Sequence, residues 1–166
     1  MIWILFAVGV TLFAGTIAYV RSLSHDVAQW HVDPQTAPDP STPNWYRVMP
    51  GGENAAPVFD VTSAELSAAF DRVVSEQPRV ELLQDDRLPN TTGGDRPAQL
   101  IGPVTWVQRS ALFGFPDYIS VAFLPVGDGQ QSTLAIFSRA RLGQSDLGVN
   151  DKRVTAWLAA LEAELG

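Results

Sequence analysis

The sequence contains no cysteine. Disulfides, a thiolate nucleophile, a zinc–thiolate site and covalent c-type haem are therefore excluded, and thiol usage does not reveal the redox compartment. Histidine is almost as scarce: His25 and His31 both precede the proline-rich segment. A Ser-His-Asp or Cys-His arrangement, a histidine-rich zinc site and a histidine general base are thus denied to the remainder of the chain. A solvated tail is the expected setting of the two histidines, with a metal held by His25, Asp26, His31 and Asp33 as the weaker alternative. Positive charge is short as well. Eleven Lys and Arg against 18 Asp and Glu give a formal charge of −7 and a pI near 4.6, a poor balance for neutralising a phosphate backbone, so nucleic acid is not an expected partner. There is no P-loop, no G-x-G-x-x-G after a strand and no G-x-S-x-G elbow.

What is present begins with a charge-free run. Residues 2–20, IWILFAVGVTLFAGTIAYV, are 19 positions ended by Arg21, and at helical rise they reach roughly 28 Å, near the hydrocarbon thickness of a bilayer. Trp3 and Tyr19 stand near the two ends, where amphipathic rings favour the headgroup layer. A cleaved signal peptide is the alternative; the run lacks a basic segment before it and an A-x-A site after it. The reading is a single-pass anchor over 1–21 with the bilayer as partner through 2–20. The acidic, lysine-poor domain behind it points to a bacterial inner membrane with that domain in the periplasm.

Residues 22–57 read as a spacer. Pro34, Pro38, Pro40, Pro43, Pro50 and Pro57 with Gly51 and Gly52 block helix and central strand alike. Trp30, Trp45 and Tyr46 are too apolar for a free tether and are expected to dock on the domain.

Residues 58–166 form the domain. Thr62-Ser63-Ala64-Glu65 is a capping box, and Leu66, Phe70, Val73 and Val74 follow at helical spacing up to Pro78. Strands are expected at 58–61, 80–83, 100–108, 118–125 and 132–139, with a polar loop over 85–97 and a hairpin turn at 126–129. Val154, Trp157, Leu158, Leu161 and Leu165 mark a last amphipathic helix. Two helices and a meandering sheet sharing one core imply an α+β fold, a small antiparallel sheet with both helices on one face.

The richest constellation is SRARLGQSDLGVNDKR, residues 138–153. If Asp146 or Asn150 caps the last helix, its free amides and the guanidinium groups of Arg139, Arg141 and Arg153 can converge on an anion. The alternative is a structural lock in which Asp146 pairs with an arginine and Gly143 and Gly148 supply tight turns. Asp117 and Asp146, with Asp85, Asp86 and Asp128, are the carboxylates available for acid–base work.

This run resembles the signature of the bacterial and plastid family named domain of unknown function 1499, S-x-S-R-x-G-x-S-D-x-G-x-N-x-x-R. Ser138, Arg141, Gly143, Ser145, Asp146, Gly148, Asn150 and Arg153 match it in register, and Ala140 replaces a serine. Phe113-Gly114-Phe115-Pro116-Asp117 is similar to the family's F-G-F-x-D element, with Tyr118 in place of a second aspartate. The WHVDP run at 30–34 resembles membrane-anchored alphaproteobacterial members. The resemblance implies no activity. Three functions stay open: a non-enzymatic domain binding a protein partner, as accessory subunit or assembly factor of a membrane complex; an anionic-ligand or lipid carrier with Arg139, Arg141 and Arg153 at a pocket mouth; and a hydrolase using Asp117 and Asp146. No cofactor and no metal is expected.

Overall fold

The computed structural model describes residues 2–90 and 99–166. Residues 2–21 form α1 (Ile2–Arg21), a helix long and apolar enough to cross a membrane by length and composition. A one-turn helix, α2 (Val27–Trp30), follows, its first amides capped by Asp26, which accepts from Ala28 N at 3.0 Å. The body is built from β1 (Trp45–Val48), α3 (Ser63–Ser75), β2 (Val80–Asp85), the small pair β3 (Leu88–Asn90) and β4 (Gln99–Ile101), β5 (Val104–Arg109), β6 (Pro116–Val126), β7 (Gln131–Ala140) and α4 (Val149–Leu165).

The five main strands form one antiparallel sheet in the order β1-β7-β6-β5-β2. α3 carries the chain from one sheet edge, β1, to the other, β2, and α4 returns against α3, β1 and β7. The strand period of two sends Ile119, Val121 and Phe123 of β6, with Leu134 and Ile136 of β7, to the helix side, where they meet Leu66 and Phe70 of α3 and Val154, Trp157 and Leu161 of α4. Phe70 sits at the centre, its ring within 6 Å of those of Trp106, Phe123 and Trp157. The fold is α+β, with both helices on one face of an antiparallel sheet.

The capping box at Thr62 is formed, with both reciprocal bonds made to Glu65. Three local details differ from expectation. Residues 58–61 contribute only an isolated bridge, Phe59 to Ser132, since Pro57 and the start of α3 leave no length for a strand. The polar loop over 85–97 contains β3, paired with β4; its Gly93 and Gly94 fall outside the described residues. The spacer over 22–57 holds β1, which completes the sheet edge by pairing Trp45 with Arg139 and Val48 with Ile136.

The second sheet face is also covered. Along β6 every residue from Pro116 to Phe123 is buried, whereas a sheet with one wet face would alternate. The cover is the segment 24–39, which crosses this face as a strap.

Candidate functional site

The strap is fixed residue by residue. The ring of Trp30 stacks on Tyr118 with centroids 4.1 Å apart. His25 Nδ1 lies 2.8 Å from the Tyr118 hydroxyl, and Arg109 Nη2 donates to His25 Nε2 at 2.6 Å. His31 Nδ1 is 2.9 Å from Thr105 Oγ1, and its Nε2 is 3.1 Å from Asp86 Oδ2. Arg139 donates to Trp30 O and Arg141 to Ser24 O. Arg47 donates to Ala37 O and pairs with Asp39 at 2.9 Å. The histidines are therefore docked on the sheet, and the solvated tail expected for them is corrected. Nor do they form a metal site with Asp26 and Asp33: His25 and His31 face different partners, and Asp33 accepts from Gln35 N and Thr36 Oγ1. Among the described residues no group of three or more His, Cys, Asp or Glu is placed to hold a metal.

The candidate residues of 138–153 divide between the two faces. Ser138 points to the helices and Arg139 to the strap, because neighbouring residues of a strand alternate. Arg139 and Arg141 thus bond the strap, whereas Arg153 bonds the helix face, and the expected convergence of all three arginines on one anion does not occur. Arg153 Nη2 meets Asp117 Oδ2 at 2.5 Å, Nε donates to Gln108, and Nη1 donates to Ser138 Oγ and Asn150 Oδ1 at 2.9 and 2.6 Å. Asn150, fully buried, donates to Asn44 O at 3.0 Å and so ties α4 to the segment entering β1.

Asp146 closes the start of α4. Gly148 occupies the cap position at φ 75 and offers no side chain, a conformation glycine adopts without penalty. Asp146 takes over the task, accepting from Gly148 N at 3.1 Å and from Asn150 N and Nδ2 at 2.7 Å each. The positive end of the helix thus already holds an anion, the Asp146 carboxylate. Ser145 Oγ accepts from Leu147 N at 3.2 Å and braces the same turn.

Beside this corner lies an open cavity of about 300 Å³ whose lining includes Phe115, Asp117, Leu142, Asp146, Leu147 and Val149. Its rim is apolar and exposed: Leu147 is 85% accessible, with φ 54, and Leu142 and Val149 are 41% and 46% accessible. Burial pushes the Asp117 carboxyl above its ordinary value against the pull of Arg153. Burial would raise Asp146 too, but the Asn150 and Gly148 bonds outweigh it and hold that carboxyl low. Carboxyls shifted in opposite directions beside one cavity have the electrostatics of an acid–base pair. Both are already engaged, one by a guanidinium and one by three N–H donors.

Sequence reasoning passed over Arg109 and Arg47, set His25 and His31 in a solvated tail, and noted Tyr118 only as a replacement within the F-G-F-x-D element. Trp30 was the one local signal, a large ring expected to dock.

The model of a family described as Protein of unknown function (DUF1499) matches residues 35–161. The chain belongs to this family. No curated protein matches the sequence. Among solved structures, this DUF1499 chain is similar to BexL, a di-domain ARO/CYC of the BE-7585A biosynthetic pathway, at 13% identity and a TM-score of 0.42, over 72% of this chain and 45% of that one. It is also similar to protein CV1439 of Chromobacterium violaceum, at 14% identity and a TM-score of 0.41, over 74% of this chain and 96% of that one. The chain spans under half of BexL.

Proposed function

We propose that this DUF1499 chain is a membrane-tethered, non-enzymatic domain that docks on a membrane protein, as accessory subunit or assembly factor of a larger complex. α1 is the tether, in a bacterial inner membrane, and the domain faces the periplasm. The observation that carries the docking reading is the apolar rim of Leu142, Leu147 and Val149 around the 300 Å³ cavity. Leu147 adds to it: a leucine held at positive φ with its side chain in solvent is strained backbone with no gain in burial. With Asp117 held by Arg153 and Asp146 by the first amides of α4, what the corner presents is apolar surface, which suits a protein segment carrying apolar side chains better than a lipid phosphate.

The internal engagement of Asp117 and Asp146 weighs against the hydrolase, and the division of Arg139 and Arg141 from Arg153 weighs against an anion carrier using those three. The test is purification of the full chain in mild detergent beside Leu147→Asp and Leu142→Asp variants. Wild type is expected to run with a stoichiometric membrane-protein neighbour that both variants lose while keeping the wild-type melting temperature. A wild-type chain that runs alone, or variants that keep the neighbour, would defeat the reading. Membrane face is checked by C-terminal reporter fusions active only in the periplasm.

A further inference from the structure

Away from the apolar corner lies an open space of about 400 Å³ lined by Arg21, Arg79, Glu81, Arg109, Ser110 and Gly114, among others. Three guanidinium groups face one carboxylate here, in a chain whose formal charge is −7. Glu81 is turned towards Arg109, its Oε1 lying 3.5 Å from Arg109 Nε. Among the described residues neither Arg21 nor Arg79 has an ion-pair partner. Arg79 is held in place by its backbone: at φ 59 it accepts from Arg109 N and returns its own Nε to Arg109 O, both at 3.0 Å. Its terminal nitrogens are left to the cavity.

The location supplies the second argument. Arg21 is the last residue of α1, so the cavity opens where the apolar helix ends. The turn 110–115 lies along the same helix: the ring of Phe113 meets that of Phe13 at 5.8 Å and stacks on Phe115, and Leu112 is 64% accessible. Phe13 is eight residues before Arg21, about 12 Å deeper along a membrane-spanning helix. An apolar turn reaching below the level of Arg21 seats the domain on the bilayer, with the arginine cavity at the depth of lipid phosphates. Gly114 allows the close approach, since at φ 75 a Cβ there would stand 2.7 Å from Arg21 Cγ.

We propose that this cavity binds the phosphate of an anionic phospholipid headgroup, gripped by Arg21 and Arg79 beside the positive charge of Arg109, whose Nη1 and Nη2 already donate to Gly114 O and His25 Nε2. The proposal rests on reading α1 as a membrane span but not on the docking corner. Guanidinium groups match phosphate oxygens in geometry and charge, and an anionic lipid brings net charge that a zwitterionic one does not.

The experiment is native mass spectrometry of the full chain from micelles holding equal amounts of phosphatidylglycerol and phosphatidylcholine. One phosphatidylglycerol is expected to stay bound in preference. Arg79→Gln and Arg21→Gln should each reduce its retention about five-fold, the scale of one basic side chain at an anionic surface. Arg72→Gln, which loses only the surface pair with Glu164, should leave retention unchanged. Equal retention of both lipids or indifference to Arg79→Gln would overturn the proposal. Vesicle flotation separates the two premises: a chain that fails to float loses the span reading, whereas one that floats without lipid preference loses only the headgroup site.

Discussion

Arg153 and Asp117 form a buried pair whose remaining valences are filled by Gln108, Ser138 and Asn150. Removing one partner strands the other in a medium that cannot solvate it, so Arg153→Ala is expected to cost about 3–5 kcal/mol. The double change Asp117→Leu with Arg153→Met should recover most of this, because no charge is then left buried. Urea unfolding of the three proteins checks both. Asp146 makes a pH-dependent contribution. Its carboxyl is held below the ordinary value in the folded state, so its stabilisation is fully present above about pH 4 and is lost as pH falls through the lower folded value. Asp146→Asn should therefore cost about 1 kcal/mol or more at neutral pH and flatten the acid limb of a stability–pH curve; an unchanged acid limb would contradict the assignment. The motif residues of this corner were legible as chemistry in the sequence, since arginines, acids and turn glycines crowd together there. Which face each would take was not read, although β7's period of two, which separates Ser138 from Arg139, was available.

α3 and the β6–β7 hairpin were readable because their signals are local: a capping box, helical spacing up to Pro78, and a glycine-bearing turn between alternating runs. β1 was not, for it sits among prolines and its pairing partner is β7, far along the chain. The strap was hidden for the same reason, as its hold depends on Tyr118, Thr105 and Arg139, all far along the chain, and only Arg47 lies close behind it in sequence. Its docking should be pH-sensitive. Burial and the neighbouring Arg109 lower the His25 pKa, Arg141 acts in the same direction, and Glu81 opposes them; the Nε2 that accepts from Arg109 must be free of a proton. A lowered histidine contributes stability above its unfolded value of about 6.5, and that contribution is lost as pH falls through the folded value. The protection factors of amides 24–39, each rate being referenced to the intrinsic exchange rate at the same pH, are expected to fall on acidification below about pH 6.5, and His25→Gln should remove most of that dependence. Protection factors that are flat with pH in the wild type would count against this account. His31, bonded to Asp86 and Thr105, stays present in both proteins as the internal control.

α1 and the domain meet over little surface. Phe13 touches Phe113, Arg21 Nη2 reaches Leu112 O at 3.5 Å, and Val20 is buried, but the core that joins α3, α4 and the sheet draws on no residue of α1. Cooperative unfolding follows the shared core, so the helix and the body should behave as separate units. A chain beginning at residue 22, which keeps the whole strap, is expected to be soluble without detergent and to melt within a few degrees of the full chain. Beginning at residue 41 instead removes Trp30 from Tyr118 and the strap carbonyls from Arg139 and Arg47, and leaves those guanidinium groups on a bare sheet face. Arg139, whose pKa burial and the nearby Arg47 lower to about 10, would then be rehydrated, but Tyr118, Phe137 and Ala135 would be exposed to water with it. That second truncation should aggregate or melt well below the first. If the two truncations melt alike, the strap is a passenger on the sheet; if the first also collapses, α1 is part of the fold and not a tether.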